Sequence, residues 1–427
     1  MRSSVAILVS LAACGGNSPG QSPDGAQGSD AAAADAAPAP TLLASGGQQM
    51  IVTGDIGFQL TPANLADDAD AIEIHQEIYG TPWDEFAANQ PPPAEWVAVM
   101  DSIAQAAHAT GKPIFLSVTP FDGTRSQLAA KTVITGGQVT EQTDWAAGCY
   151  DFASAPDAAM YQQAYTRYVD WMIDEFQPTW LNMAIEINLY FEACPAAVTG
   201  AVQVSNAAYQ AAHAHTPGLV VFPSIQIDHL YGYDPTSCPD QTQRDACFDA
   251  NYAQISALTR DRFAMSSYPI PLGGQTVAEL PVDWFTRGAA RGGERGLIAE
   301  TGMDSTALVA HSRDNGCFTV FTETEADEAG YLARVIGDSK ANHFDLANWW
   351  SDRDLVVAPL MTDCPCTFDS TWCEVLGVFE GPPTTSGPDT QLEGELVLKV
   401  FGTMGLRDYA GVEKSFYATW QAGRATQ

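Results

Sequence analysis

The sequence predicts a (β/α)8 TIM barrel, and three observations predict it. From residue 50 onward, short apolar runs alternate with longer segments of helical periodicity, the pattern of repeated βα units on a parallel sheet. The apolar runs number eight. Polar and aromatic residues gather at their C-terminal ends, where a barrel of this kind places its chemistry. A doubly wound open sheet produces the same alternation; the count and the gathering favour the barrel.

The runs expected as strands are Met50–Phe58, Ala71–Glu77, Pro113–Thr119, Trp180–Asn188, Leu219–Gln226, Arg262–Tyr268, Gly296–Glu300 and His343–Trp350. Between them, Ala94–Thr110, Asp157–Phe176, Val204–His215, Asp249–Arg260, Thr276–Ala290 and Glu323–Ser339 carry apolar residues at helical spacing, as Tyr161, Tyr165, Tyr168, Met172 and Phe176 illustrate. Stretches 120–156, 228–248 and 361–392 are turn-rich and hold most of the cysteines. They read as insertions at the C-terminal face of the barrel, made rigid by disulfides because they lack a core of their own. The closing GLRDYAGVEKSFYATWQ reads as a turn and a last helix that buries Phe416, Tyr417 and Trp420.

The N-terminus, MRSSVAILVSLAACGG, resembles a bacterial lipoprotein signal: one Arg, a short apolar run, then small residues before Cys14, the expected lipidation site. The run is too short to span a bilayer. A plain secretory signal is the alternative. Residues 15–46 are Gly, Ser, Pro, Asp, Gln and Ala with almost nothing apolar larger than Ala, a tether unable to bury a core, which leaves 47–427 as the folded domain. Export to the cell envelope is thus expected. Removing Cys14 leaves eight of nine cysteines, enough for four disulfides. Cys364, Cys366 and Cys373 are the alternative, a metal site, but no His or second Cys pair stands at zinc spacing. The formal charge of −33 disfavours a nucleic-acid partner. Zinc-protease, serine-esterase and phosphate-loop motifs are missing from the sequence.

The segment WLNMAIEINLYFEACP, residues 180–195, carries the chemistry. In an extended chain Leu181, Met183, Ile185 and Ile187 share one face, while Asn182, Ala184, Glu186 and Asn188 share the other. Glu186 then points inward near the end of strand four. In GLIAETGMDS a second apolar run ends in Glu300, at the end of strand seven. Two carboxyls about 5 to 5.5 Å apart suit glycoside hydrolysis with retention, one protonating the leaving oxygen and the other attacking the anomeric carbon. Like charges that close keep one of them protonated. Glu186 is assigned as acid/base and Glu300 as nucleophile. A single strand-end Glu is more often a solvated or ion-paired residue, but two at matching ends point to catalysis. Glu77 and Glu192 are the neighbouring carboxylates that take a role if the register shifts.

This layout is similar to the clan A (β/α)8 retaining glycoside hydrolases, which include cellulases, mannanases, xylanases and endo-β-1,4-galactanases. Ile185-Glu186-Ile187-Asn188 looks like their strand-four motif, and Ala299-Glu300-Thr301-Gly302 like their strand-seven motif. Ser267-Tyr268-Pro269 resembles the segment whose tyrosine hydrogen-bonds the nucleophile. Trp349 or Trp350 resembles the aromatic floor beneath the reacting sugar. The resemblance implies a monomer acting on a β-linked polysaccharide or oligosaccharide without cofactor or metal, and an unusual, strained or cis peptide near Trp349–Ser351. In one respect the chain departs from the pattern: the clan has Asn before the acid/base Glu, and here Ile185 stands there. Asn188, His75 and Gln76 are the replacements at hand for holding a sugar hydroxyl. Trp83, Trp145, Tyr190, Phe191, Tyr231 and Tyr233, in expected top loops, are further subsite candidates. Two alternatives stand beside the glycosidase. One is a non-catalytic cell-surface carbohydrate-binding protein on the same barrel, and the other a metal-dependent hydrolase, for which His75, Asp55 and Asp345 are the hints.

Overall fold

Runs of Ile, Val, Phe, Leu and Ala pair into one parallel sheet in the computed structural model, which describes residues 49–53, 65, 67–143, 145–269, 276–312, 316–355, 358–364 and 399–425. In chain order the strands are β1 (Gln49–Thr53), β2 (Ala71–Gln76), β3 (Ile114–Val118), the hairpin β4 (Lys131–Thr135) and β5 (Gln138–Gln142), β6 (Trp180–Asn182), β7 (Val220–Phe222) and β8 (Ser224–Gln226). They continue with β9 (Phe263–Ser267), β10 (Gly296–Thr301), the hairpin β11 (Leu308–Ser312) and β12 (Gly316–Phe321), and β13 (Leu346–Trp350). The main sheet has the order β7-β6-β3-β2-β1-β13-β10-β9-β8, and its pairings are parallel. Helices Ala94–His108, Ala158–Phe176, Val198–His215, Arg244–Ile255 and Glu325–Ala341 lie between successive strands. They bury their apolar stripes against the outward side chains of the strands, Ile72, Ile74, Leu116, Leu181, Met265 and Ile298 among them.

The expected strand Leu219–Gln226 is two pieces. β7 pairs with β6 and β8 with β9, so the two ends of the sheet order are consecutive in the chain with Pro223 alone between them. Proline has no N–H to give a ladder, and the segment breaks there. The paired strands accordingly do not form a closed ladder.

Strand four is shorter than the alternation implies. Extended pairing stops at Asn182, and Glu186 adopts a left-handed conformation (φ 49°, ψ 43°) at the start of a helix, Ile187–Ala193. Two amide side chains explain the change. Ser224 N–H donates to Asn182 Oδ1 (3.0 Å) and Asn182 Nδ2 donates to Ser224 Oγ (3.1 Å). Gln226 N–H donates to Asn188 Oδ1 (2.8 Å) and Asn188 Nδ2 donates to Gln226 O (3.0 Å). Asn188 thus occupies both the N–H and the carbonyl of Gln226, while Asn182 shares the Ser224 N–H with the Ala184 carbonyl (3.1 Å).

A second correction concerns Thr276–Ala290, expected as one helix. It is a 3-10 turn, Val277–Glu279, and a short helix, Arg287–Gly292. Pro281 cannot continue a helical ladder from the first into the second. The last helix, Tyr417–Ala425, follows the expected turn, with Phe416 and Trp420 buried and Tyr417 half-buried.

Three disulfides are formed among the described residues: Cys149–Cys194, Cys238–Cys247 and Cys317–Cys364. They fit an exported protein in an oxidising compartment. Cys364 is thereby committed to Cys317, which removes it from the alternative metal site; Cys366 and Cys373 lie outside the described residues, as do the signal, Cys14, the tether and Asp55. Among the described residues no helix is long and apolar enough to cross a membrane, and no group of three or more His, Cys, Asp or Glu is placed to hold a metal ion.

Replacing Asn188 with Ala strands a buried N–H and a buried carbonyl of Gln226. The expected loss is about 2 kcal/mol or more in urea unfolding; a loss below about 0.5 kcal/mol, the range of ordinary surface substitutions, contradicts the bridging role.

Candidate active site

The face of the sheet opposite the helices is built in steps of two residues, the period of a strand. The first step is apolar: Ala71, Phe115, Trp180, Val220, Phe222, Ala264, Leu297, Ala299 and Leu346 form one buried cluster. Two residues further along the same face come Glu73, Ser117, Asn182, Ser266 and Asn348, all buried. Ser117 Oγ donates to Glu73 Oε1 (2.6 Å), and Asn348 Nδ2 donates to Glu73 Oε2 (2.5 Å). Another two residues on, His75, Tyr268 and Trp350 line a cleft of about 510 Å3 together with Glu186 and Glu300.

Each carboxyl reaches the cleft by a departure from regular structure. Glu186 stands on its left-handed turn, its N–H donating to Ser224 Oγ (2.9 Å) and its Oε1 accepting from Ser266 Oγ (2.5 Å). Glu300 follows Ala299, which faces the inner apolar cluster, so strict alternation aims it at the helices. A register shift between Ile298 and Glu300 re-aims it, as bulges do. Tyr268 Oη donates to Glu300 Oε1. Gly302 sits where a Cβ would come within 2.6 Å of the Trp350 carbonyl, so Glu-Thr-Gly lets the ends of β10 and β13 approach. The peptide bond Trp350–Ser351 is cis.

The electrostatics couple these groups. Burial raises the Glu300 carboxyl to about 8, with the Glu186 and Glu73 charges pushing the same way and His75 and the Tyr268 hydroxyl pulling it down. The group held protonated in the free cleft is therefore Glu300, the one assigned as nucleophile. Burial opposes charge on His75, but Glu73 and Glu77 outweigh it and raise its pKa well above the usual value. Burial likewise opposes ionisation of Glu77, and Arg125 and His75 reverse the effect, lowering it to about 2. Arg125 donates to both Glu77 oxygens and brings Nη2 within 4.0 Å of Glu186 Oε2.

Of the expected site residues, Glu186, Glu300, Tyr268, Trp350 and His75 come together in this cleft. Trp349 does not: it is fully buried on the helix side, its Nε1 donating to Met404 O (2.8 Å). Asn188 is spent on Gln226. Gln76 is buried and donates to the Ile78 carbonyl, outside the cleft wall. Ile185 is buried as well and offers no polar atom to a ligand. Phe191 is the one of the six loop aromatics that lines the cleft. Trp83 and Trp145 both donate to Ala129 O, Tyr190 stacks on Phe121, Tyr231 accepts from Gly288 N–H, and Tyr233 lies under Arg244. Asp345 pairs with Arg262 and Arg295. Glu77 and Glu192 line the cleft as partners of cations. Arg125, His229, Asp234 and Phe401 line it too, and the pattern reading missed them. The one available signal was Arg125, a lone cation after an Asp-Gly turn beside strand three.

No family model matches the sequence, and no curated protein matches it. Solved structures of glycoside hydrolases resemble it in fold. An exo-beta-1,4-mannosidase from Opitutaceae bacterium strain TAV5 superposes with a TM-score of 0.50 at 12% identity, covering 86% of this chain and 54% of the mannosidase. The chain thus spans about half of that protein. GH5_18 from Streptomyces cattleya, in complex with Manb1-4GlcNAc, gives 0.49 at 12% identity over 85% of this chain and 74% of its own. A structure reported for two fungal beta-1,4-galactanases gives 0.48 at 11% identity over 88% and 94%. Likeness at such identities concerns the fold alone.

A carboxyl whose pKa is raised on folding stabilises the fold below its unfolded pKa, and that contribution is lost as pH rises through the folded value. For Glu300 the window runs from about 4.5 to about 8. Glu300→Gln, which cannot ionise, is expected to gain stability relative to wild type across that window, by up to ~1.4 kcal/mol per pH unit. Urea unfolding at pH 5 and pH 8 measures it, and an equal difference at both pH values contradicts the raised pKa.

Proposed function

We propose that this protein is a retaining β-glycoside hydrolase in which Glu186 is the acid/base and Glu300 the nucleophile. The observation that carries the reading is one cleft holding both carboxyls, with the Tyr268 hydroxyl on Glu300 and the charge of Glu186 acting on the same group. Burial keeps a proton on Glu300 in the free cleft. Productive attack needs it on Glu186, so that the leaving oxygen is protonated as the Glu300 carboxylate adds to the anomeric carbon and forms a glycosyl ester. Tyr268 and charged His75 favour the anion at position 300, and a sugar ring seated there displaces the proton to Glu186. Water then attacks the ester, with Glu186 as base. Trp350 lies against this end of the cleft and offers its indole to the ring.

The architecture we propose is the closed (β/α)8 barrel within residues 47–427, the ring being completed where β7 and β8 meet at Pro223. The apolar cluster drawn from seven strands is the filled interior such a barrel requires. For the rest of the chain we propose export as a monomer, with a lipid anchor on Cys14 and residues 15–46 as tether.

A second reading has a specific observation behind it. No amide precedes Glu186, and Asn188 cannot replace one, which supports a barrel that binds carbohydrate without turnover. Hydrolysis of a panel of β-glucan, mannan, galactan and xylan separates the two: binding without cleavage of any member favours the second.

Under the first reading, Glu186→Gln lowers kcat/KM on natural glycans by about 10²- to 10⁴-fold, because the leaving oxygen loses its proton donor. With a dinitrophenyl β-glycoside, whose leaving group needs no proton, the same variant releases a fast burst followed by slow turnover. Glu300→Gln gives no burst. Proton NMR of the first-formed product is expected to show the β-anomer; the α-anomer contradicts retention.

A further inference from the structure

The class of sugar is left open by the glycosidase reading, and the charges and hydrogen-bonding groups of the cleft address it. Among the described residues the wall carries five carboxyl groups, Glu77, Glu186, Glu192, Asp234 and the protonated Glu300, against three cations, His75, Arg125 and His229. Each cation is already met. Arg125 is held by Glu77, and His75 lies between Glu73 (3.4 Å) and Glu77 (2.8 Å). His229 Nδ1 is 2.8 Å from Glu192 Oε2, and its Nε2 is 4.0 Å from Asp234 Oδ2. Burial opposes charge on His229, but Glu192 outweighs it and raises the pKa to about 9, so this pairing persists at neutral pH.

Two N–H donors of wall residues have neither a hydrogen-bond nor an ion-pair partner among the described residues. They are Nε of Arg125 and Nε1 of Trp350, on side chains only 4% and 7% exposed. The cleft therefore offers a surplus of anionic acceptors beside two buried donors that need an oxygen. A neutral sugar hydroxyl meets both demands, since it donates to a carboxylate and accepts from an N–H. A C6 carboxylate only accepts. It would enter beside Glu77, Glu186, Glu192 and Asp234 with no cation among the described residues free to compensate it, and burying an uncompensated charge is costly.

We infer that the cleft takes an uncharged β-glycan and turns away its uronate counterpart, with Arg125 and Trp350 as donors to sugar oxygens and the Glu192–His229–Asp234 cluster as a wall that repels anions. The inference rests on the glycosidase reading for its substrate, yet the two are separable by experiment. Gluco, xylo, manno and galacto β-oligosaccharides are compared with those carrying a C6 carboxylate, glucuronides serving for both of the first two. Hydrolysis is measured with wild type, and binding by calorimetry with Glu300→Gln. At least one neutral member is expected to bind and be cut, with kcat/KM for its uronate counterpart lower by about 100-fold or more. Equal or better cleavage or binding of a uronate overturns the inference. Neutral binding with no cleavage sinks the glycosidase reading and leaves the inference standing, and binding of no member sinks both. Glu192→Gln, which leaves His229 free to meet a carboxylate, is expected to narrow the neutral-to-uronate ratio about tenfold. An unchanged ratio contradicts the repelling role of that cluster.

Discussion

The site depends on how the chain crosses Pro223. A proline there denies the sheet one backbone N–H, and the neighbouring strand leaves extended geometry after Asn182. Asn182 and Asn188 supply the missing pairing through their side-chain amides, each exchanging two hydrogen bonds with the 224–226 segment. What this arrangement fixes is the backbone of Glu186, whose N–H is held by Ser224. A left-handed glutamate costs about 1 to 2 kcal/mol relative to a helical one, and the four side-chain bonds around it offset that cost. The carboxyl consequently enters the cleft from a turn that cannot relax alone.

The inner face of the sheet is graded, and the grading explains why a hydrophobic interior ends in an ionised cleft. The apolar step excludes water from beneath. The polar step above it is satisfied internally, with Glu73 accepting from Ser117 and Asn348. Glu73 then acts upward: its charge helps keep His75 protonated and adds to the raised pKa of Glu300. A carboxylate buried beneath the cleft thus adds to the proton affinity of one that lines it, through a low-dielectric layer in which Coulomb terms are large.

Much of this was legible in the sequence, and the failures have local causes. The βα alternation located the main strands, and the two glutamates stand where the strand-four and strand-seven runs end. Adjacent indoles on one strand face opposite ways, so the sequence implied that only one of Trp349 and Trp350 could meet the cleft, and it left open which. The same reasoning failed beyond Asn182, where amide side chains replaced the ladder. Glu300 was picked as the carboxyl that ends its apolar run; alternation would have aimed it outward, because Ala299 is the inward residue and a register shift carries its neighbour in. Asn188 was read as a sugar ligand because a polar residue beside a catalytic candidate resembles one; only coordinates reveal that both ends of its amide are engaged. Arg125, His229 and Asp234 come from insertions, whose sequences lack a period from which direction can be inferred.

Those insertions decide more than rigidity. The 120–130 loop is folded by Asp122, whose Oδ1 accepts from the Ser126 and Gln127 N–H groups, and this turn delivers Arg125 to Glu77. The 228–248 loop is closed by Cys238–Cys247 and brings Asp234 to His229. In both cases the loop uses one member of an ion pair to fix the other, so the cleft gains order while, among the described residues, each cation of its wall is already paired. Selectivity against charged sugars follows from how the loops are tied down, and it needs no residue placed for that purpose.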